Sequence, residues 1–425
     1  MTQSAFFHRR DGALYAEGIS LAELAAQFGT PLYVYSRAAL SAAWHAYADA
    51  CAQHNAMVHM AVKANSNLAV LNLFARLGAG FDIVSGGELA RVIAAGGDAH
   101  NVVFSGVGKS ADEMRQALNA GVKCFNVESL PELERLNAIA GELGKRAPVA
   151  LRVNPDVDAN THPYISTGLK SSKFGVAFDD ARAAYRTAAA LPNLRVTGID
   201  CHIGSQITQM TSYLDALDKL LDLVAQIEAD GIAIHHIDVG GGLGIRYDRE
   251  TPPEPGAYVR VMLDRIVQRG YGDRAVFFEP GRSLVGNAGV LLARVEFLKA
   301  GGDRHFAIVD AAMNDLARPA MYGAYHAIEP VRLREDMPAV AYDVVGPVCE
   351  SGDWLGRGRA LAILPGDLLA IHSVGAYGFS MSSSYNSRPR AAEVMVDGER
   401  AQLVRERETA EQLFAGEHLL TEPLA

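Results

Sequence analysis

The sequence predicts a (β/α)8 barrel followed by a β-rich second domain. Three observations carry that prediction. Short apolar runs alternate with amphipathic stretches from about residue 57, and eight such units follow one another. After about residue 286 the texture changes to apolar runs separated by Gly, Pro and Asp turns. The eight runs are 57–62, 81–84, 102–104, 124–127, 149–153, 196–203, 235–239 and 276–278. Between them lie helical patterns at 68–77, 88–95, 111–120, 131–143, 179–190 and 213–229. A doubly wound parallel sheet is the other fold that this alternation allows. Strand-like runs at 290–297, 305–309, 341–345, 368–371 and 392–396 make up the second domain. The run 30–35 precedes the barrel pattern and is expected to return to that domain. The division is then 35–285 for the barrel, with 1–34 and 286–425 joined in the β-rich part. Residues 248–256 (DRETPPEPG) read as a Pro-rich loop insertion.

Composition narrows the function. The 425 residues are 49% hydrophobic and 21% charged, which excludes a disordered chain. Against 49 acidic residues stand 39 Lys and Arg, a net charge of −10. That balance argues against nucleic acid or an anionic membrane as the main partner. No run approaches the roughly 18 apolar residues of a membrane helix. The first 20 residues carry His8, Arg9, Arg10, Asp11 and Glu17 rather than a signal core, so a cytoplasmic location is expected. Cys51, Cys124, Cys201 and Cys349 lie far apart with no CxxC, which fits neither a disulfide scaffold nor a zinc site. No metal is expected, and no HExxH or GxxxxGK[ST] occurs.

Side chains alternate along a strand, so polar residues two apart share a face. His59 and Lys63, Arg152 and Asn154, Asp200 and His202, and Asn126 and Glu128 each form such a set, with Asp82, Ser105 and Glu279 at comparable positions. The polar set clusters at the carboxyl ends of many strands, where barrel enzymes build their sites. Gly240-Gly241-Gly242-Leu243-Gly244 follows the seventh run, where backbone N–H groups would approach a phosphate. Glu279 ends the eighth run beside Pro280-Gly281-Arg282. A lysine amine, a phosphate cradle, a carboxylate and a flat imidazole suit pyridoxal 5'-phosphate: a Schiff-base lysine, a phosphate anchor and a partner for the pyridine nitrogen.

MAVKAN (60–65), FDIVSGGEL (81–89), CHIGSQ (201–206), DVGGGLG (238–244), EPGR (279–282) and GPVCESGD (346–353) resemble the barrel-fold, alanine racemase-like pyridoxal-phosphate decarboxylases. That group includes enzymes acting on diaminopimelate, ornithine and arginine. THPYISTGLKSSKFG (161–175), MNDLARPAMYGAYH (313–326) and YNSRPRAAEV (385–394) resemble the diaminopimelate branch, with Ser384 standing where that branch commonly has Asn. The resemblance implies that Lys63 holds the cofactor and His202 stacks on its ring. Ser205, Gly240, Gly241 and Gly242 would hold the phosphate with Gly281 and Arg282 nearby, and Glu279 would meet the pyridine nitrogen. A carboxylate there stabilises the protonated ring, which withdraws electrons from the α-carbon, as decarboxylation needs.

The implied reaction converts meso-2,6-diaminopimelate to L-lysine and CO2, the last step of lysine biosynthesis, with Cys349 as proton donor. Cys349 alone sits in a loop of polar and glycine residues (CESGDWLG); the other three cysteines fall in a helix or in strands. Arg282, Arg318 and Tyr322 would meet the substrate's distal carboxylate, Glu350 its ammonium, and Tyr377 both cofactor and substrate. A planar guanidinium fork pairs bidentately with a carboxylate and rejects substrates lacking one. The resemblance also implies a homodimer in which Cys349 and Glu350 reach the neighbouring subunit's site. Ornithine or arginine as substrate, racemisation, or a non-catalytic cofactor-binding relative are the competing readings. Retained arginines oppose the first, and the presence of both Lys63 and Cys349 opposes the last.

Overall fold

The computed structural model describes residues 5–157, 167, 172–302 and 304–421. Most of the 161–175 motif therefore lies outside the described residues. The chain divides into two compact units, Ala39–Gly286 and Met1–Ala38 with Asn287–Ala425.

The first unit is a closed barrel of eight parallel strands: Ala56–Ala61, Gly80–Ile83, Val102–Phe104, Cys124–Val127, Ala147–Asn154, Leu194–Asp200, His236–Asp238 and Ala275–Phe278. Closure comes from Val276, Phe277 and Phe278 pairing with Ala56, Met57 and Val58. All eight apolar runs are strands, and the doubly wound alternative falls with the ring closure. Two expected strand ends are too long. The first strand stops at Ala61, so Lys63 stands in a 3-10 turn (Val62–Ala64), and the sixth stops at Asp200, so His202 stands in the following loop. Both functional candidates thus leave the ladder just where side chains gain freedom to converge.

Three consecutive βα connections repeat one device. Ser85, Ser110 and Ser129 each cap the next helix by accepting from the backbone N–H of the Glu three residues on, Glu88, Glu113 and Glu132. Each glutamate then bonds back toward the strand end, to the N–H of Val84, Ser110 and Glu128 respectively. These short, doubly satisfied starts fix the strand ends that carry polar side chains. One expectation is corrected: the Pro-rich segment ends inside a helix, Pro255–Gln268, because proline is pre-organised for the first helical position.

The second unit holds a mixed sheet in which Leu32–Ser36 pairs antiparallel with Gly289–Gly301 and parallel with Ala392–Asp397. The N-terminal run thus returns to the C-terminal sheet. Its core gathers Phe7, Leu14, Leu21, Leu24, Val34, Val290, Val394 and Val396. Sequence reading missed the small strands Phe7–Arg10, Ala13–Ala16 and Ile19–Ser20, and also Trp354–Leu361. The last lies at the sheet edge, where shifted register accommodates Gly356, Gly358 and two arginines that break the alternation.

Candidate active site

Strand register determines which polar groups meet. Arg152 pairs with Asp200, and Asp200 with Asp238, across three neighbouring parallel strands. Glu279 follows the next strand. Ligand oxygens of Asp200, Asp238 and Glu279 all lie within 4.8 Å of one another, and all three residues are buried. Burial raises the Glu279 carboxyl well above its usual range, and Asp238, Asp82 and Asp200 push it further, against a smaller opposing pull from Lys63. Burial likewise lifts Asp238 to about 7, opposed by bonds from the Gly240 N–H and Glu279. Carboxylates so close disfavour one another's ionisation, so the cluster's proton affinity is raised. Among the described residues, Glu279 Oε1 is buried with no hydrogen-bond partner, as is Asp82 Oδ1. At the barrel's open end, beside a partly exposed lysine, such an orphan offers a place for another polar atom.

Lys63 Nζ donates to Asp82 Oδ2 at 2.8 Å, with the lysine side chain one-third exposed and the aspartate fully buried. Asp82 was among the inward-facing residues without an assigned role; the pair makes it the anchor of the amine. His202 Nδ1 accepts from the Gly241 N–H at 3.2 Å, which places the proton of the neutral ring on Nε2. Burial, then the charges of Arg152 and Lys63, hold the imidazole well below its usual pKa, so it is an uncharged flat face.

The glycine loop is built for close approach. A Cβ at Gly241 would lie 2.1 Å from the Glu279 carbonyl oxygen, and one at Gly242, whose φ is +96°, 2.2 Å from that of Gly204. Beside it, Arg282 donates from Nη2 to Ser205 Oγ at 2.9 Å and from Nη1 to the Tyr247 hydroxyl at 2.6 Å. Gln206, in a left-handed conformation, pairs both ways with the Ile245 backbone and ties the Ser205 turn to the glycine loop. The sequence pattern assigns Tyr247 and Gln206 no role, because a tyrosine in a loop and a glutamine closing CHIGSQ carry no periodic signal.

Arg152 is a second finding. Burial works against its charge, but Glu128 at 3.0 Å and Asp200 outweigh that penalty. Glu128 in turn accepts from the N–H groups of Gly106 and Gly175. The barrel's carboxyl end therefore brings together Lys63, His202, Ser205, Gly240, Gly241, Gly242, Glu279, Gly281 and Arg282. A primary amine, an uncharged ring face, a backbone cradle beside a guanidinium, and an orphan carboxyl oxygen fit the four needs of pyridoxal phosphate.

The other candidates belong to the second unit. Buried Arg318 opens a short helix, Arg318–Tyr322, and Tyr322 is half-buried at its end. Tyr377 is held at φ +55°, a strained setting for a tyrosine. Cys349 is exposed, its N–H bonded to Asn386 Oδ1, and Glu350 accepts from the Tyr385 hydroxyl at 2.7 Å. Cys51, Cys124 and Cys201 are buried; burial raises the Cys51 and Cys124 thiols to about 12 and pushes the Cys201 thiol well above its usual range.

Residues 37–286 match the family of the pyridoxal-dependent decarboxylase, pyridoxal binding domain. The chain is 61% identical to a diaminopimelate decarboxylase of Pseudomonas aeruginosa, covering 97% of this chain and 99% of the relative. It is 58% identical to one of Vibrio cholerae, over 98% and 99%. The crystal structure of diaminopimelate decarboxylase from M. jannaschii, in complex with L-lysine, superposes with a TM-score of 0.94 at 37% identity, covering 99% of both chains. The Helicobacter pylori enzyme with L-lysine gives 0.89 at 40% identity, over 93% and 98%. A matched cofactor-binding barrel and near-full-length identity lead to one assignment: the chain belongs to the pyridoxal-dependent decarboxylases, in the diaminopimelate decarboxylase family.

Proposed function

We propose that this protein decarboxylates meso-2,6-diaminopimelate to L-lysine and CO2, in the cytoplasm, with pyridoxal phosphate as cofactor. The observation that carries the reading is the convergence of the Lys63–Asp82 pair, the glycine cradle and the orphan Glu279 oxygen on one end of one barrel. When bound, the cofactor supplies an electron sink for the pair left at the α-carbon as CO2 departs. Lys63 Nζ would hold it, with Asp82 orienting the amine. His202 would carry the ring on its face, and Ser205, Gly240, Gly241, Gly242 and Arg282, with Gly281 leaving room, would hold the phosphate. Glu279 Oε1 would face the ring nitrogen, and the neighbouring carboxyls keep its proton affinity high enough to share a proton there.

At the substrate's distal end, Arg282, Arg318 and Tyr322 would take the carboxylate, Glu350 the ammonium, and Tyr377 would bridge cofactor and substrate. Cys349 Sγ would deliver the proton that replaces CO2. Its exposure supports a role at a subunit boundary, in a homodimer whose β-rich unit lends Cys349 and Glu350 to the neighbouring site. Mixing inactive Lys63→Ala and Cys349→Ala chains is expected to regain part of the activity through hybrids; no recovery overturns shared sites. The substrate is tested by CO2 release from a panel. Release from meso-diaminopimelate is expected; release from ornithine or arginine alone would replace this reading with that of a basic amino-acid decarboxylase.

A further inference from the structure

Arg318 does not stand alone in its unit. Its Nη1 lies 2.9 Å from His326 Nε2, and His326 Nδ1 lies 2.8 Å from the carbonyl oxygen of His372. His326 is fully buried and Arg318 nearly so. A carbonyl only accepts, so Nδ1 must carry the imidazole proton; Nε2 then offers its lone pair, and a guanidinium only donates. The pair of bonds therefore has one consistent assignment, with a neutral ring in one tautomer. The acceptor carbonyl is itself fixed. His372 ends the strand Leu368–His372, its N–H bonds to the Ala327 carbonyl, and its Nε2 lies 2.8 Å from Glu329 Oε1. Glu329 also pairs with Arg9. Burial acts against that carboxylate's charge, yet His372 and Arg9 beside it pull it down to about 2.

We infer that His326 is a positioning residue for substrate selectivity: it fixes the plane in which Arg318 presents its fork to the distal carboxylate. The inference rests on the reading that Arg318 binds that carboxylate. A fork held at one Nη keeps its orientation without spending rotamer freedom on each binding event. Without the His326 bond the guanidinium would still attract the carboxylate as a charge but would match it bidentately less well.

The test uses the cofactor-loaded enzyme and two probes measured by calorimetry. L-Lysine keeps the distal carboxylate; cadaverine lacks it. In His326→Leu, KM for diaminopimelate and Kd for lysine are expected to rise together, about tenfold to a hundredfold, the usual cost of losing a hydrogen bond to a charged group. The value of kcat changes by less than about threefold and cadaverine binding stays within about twofold. His326→Gln, whose Oε1 replaces the Nε2 lone pair, is expected to restore lysine binding to within about threefold of the parent. Equal weakening of lysine and cadaverine, or a fall in kcat at constant KM, overturns the inference. Should the leucine chain not fold, the glutamine variant decides: near-parent lysine affinity supports it, and tenfold weakening overturns it. Arg318→Lys separates the underlying reading. If that change leaves lysine affinity intact, Arg318 does not bind the carboxylate, whatever the His326 variants do.

Discussion

Two residues along each of five strands separate two buried polar layers of the barrel. One holds Asp82, Asp200, Asp238 and Glu279 with Ala61; the other holds Gly80, Gly198, His236, Phe277 and His59. The residues of both layers are buried, and among the described residues both layers leave nitrogen or oxygen atoms without partners. Their chemistry diverges all the same. In the upper layer, three carboxyls crowd within 4.8 Å with raised proton affinity, beside a one-third-exposed lysine. In the lower layer, the His59 and His236 rings lie 4.7 and 4.4 Å from the Phe277 ring, in space vacated by the two glycines. Burial, with Lys123 nearby, lowers both imidazoles to about 3, so they pack as neutral rings. A buried polar group therefore signals chemistry only when something mobile reaches it. Packing accounts for the other layer.

The largest effect should come from the amine that gives the upper layer its access. Lys63→Ala is expected to lower kcat/KM by at least about a thousandfold and to abolish the cofactor's lysine-linked absorbance. Retention of that absorbance would move the attachment to another amine. Next comes the orphan carboxyl. Glu279→Gln keeps the shape but cannot give up or regain a proton at the ring nitrogen, and a fall in kcat of about a hundredfold is expected. Steady-state kinetics at saturating cofactor would check it. A change under threefold would make Glu279 another buried packing group and erase the contrast between the layers.

The lower layer is broken by size rather than charge. A Cβ at Gly198 would lie 2.2 Å from His236 Nε2. Gly198→Ala is expected to destabilise the barrel by about 2–3 kcal/mol, an overpacking cost, read from urea unfolding. Adding His236→Ala should recover most of that loss, because the overlap disappears with the ring.

Much of this was legible in the sequence, and the limits have physical causes. The barrel could be read because its strands are near-continuous apolar runs between amphipathic helices, a pattern that periodicity detects. Lys63, Glu279 and the glycine loop stood out because an amine, a carboxylate and three successive glycines are costly to place at strand ends without a purpose. Alternation gives the face of a residue, however, and not its depth. It set His59 and Lys63 on one face, though the first lies beside Phe277 in the lower layer and the second has left the strand altogether. Pairings such as Lys63 with Asp82, or Arg318 with His326, depend on loop paths that no local pattern encodes. The N-terminal strands, four, four and two residues long, were too short to show a period.

Acid makes the sharpest small-scale test, because the lower layer's imidazoles are buried uncharged. A folded-state pKa of about 3 against the ordinary 6.5 means that the unfolded chain binds more protons throughout the interval between them. Stability contributed by His59 is therefore intact above about pH 6.5 and is lost as the pH falls toward 3. At pH 5 that loss is on the order of 2 kcal/mol relative to pH 7. His59→Leu should remove it: the variant's unfolding free energy would drop less between pH 7 and pH 5 than the parent's, whatever its absolute stability at pH 7. Equal acid slopes in parent and variant would mean that the ring is already reached by water or by a partner. The lower layer would then share the upper layer's character, and depth within the barrel would not be what separates packing from chemistry.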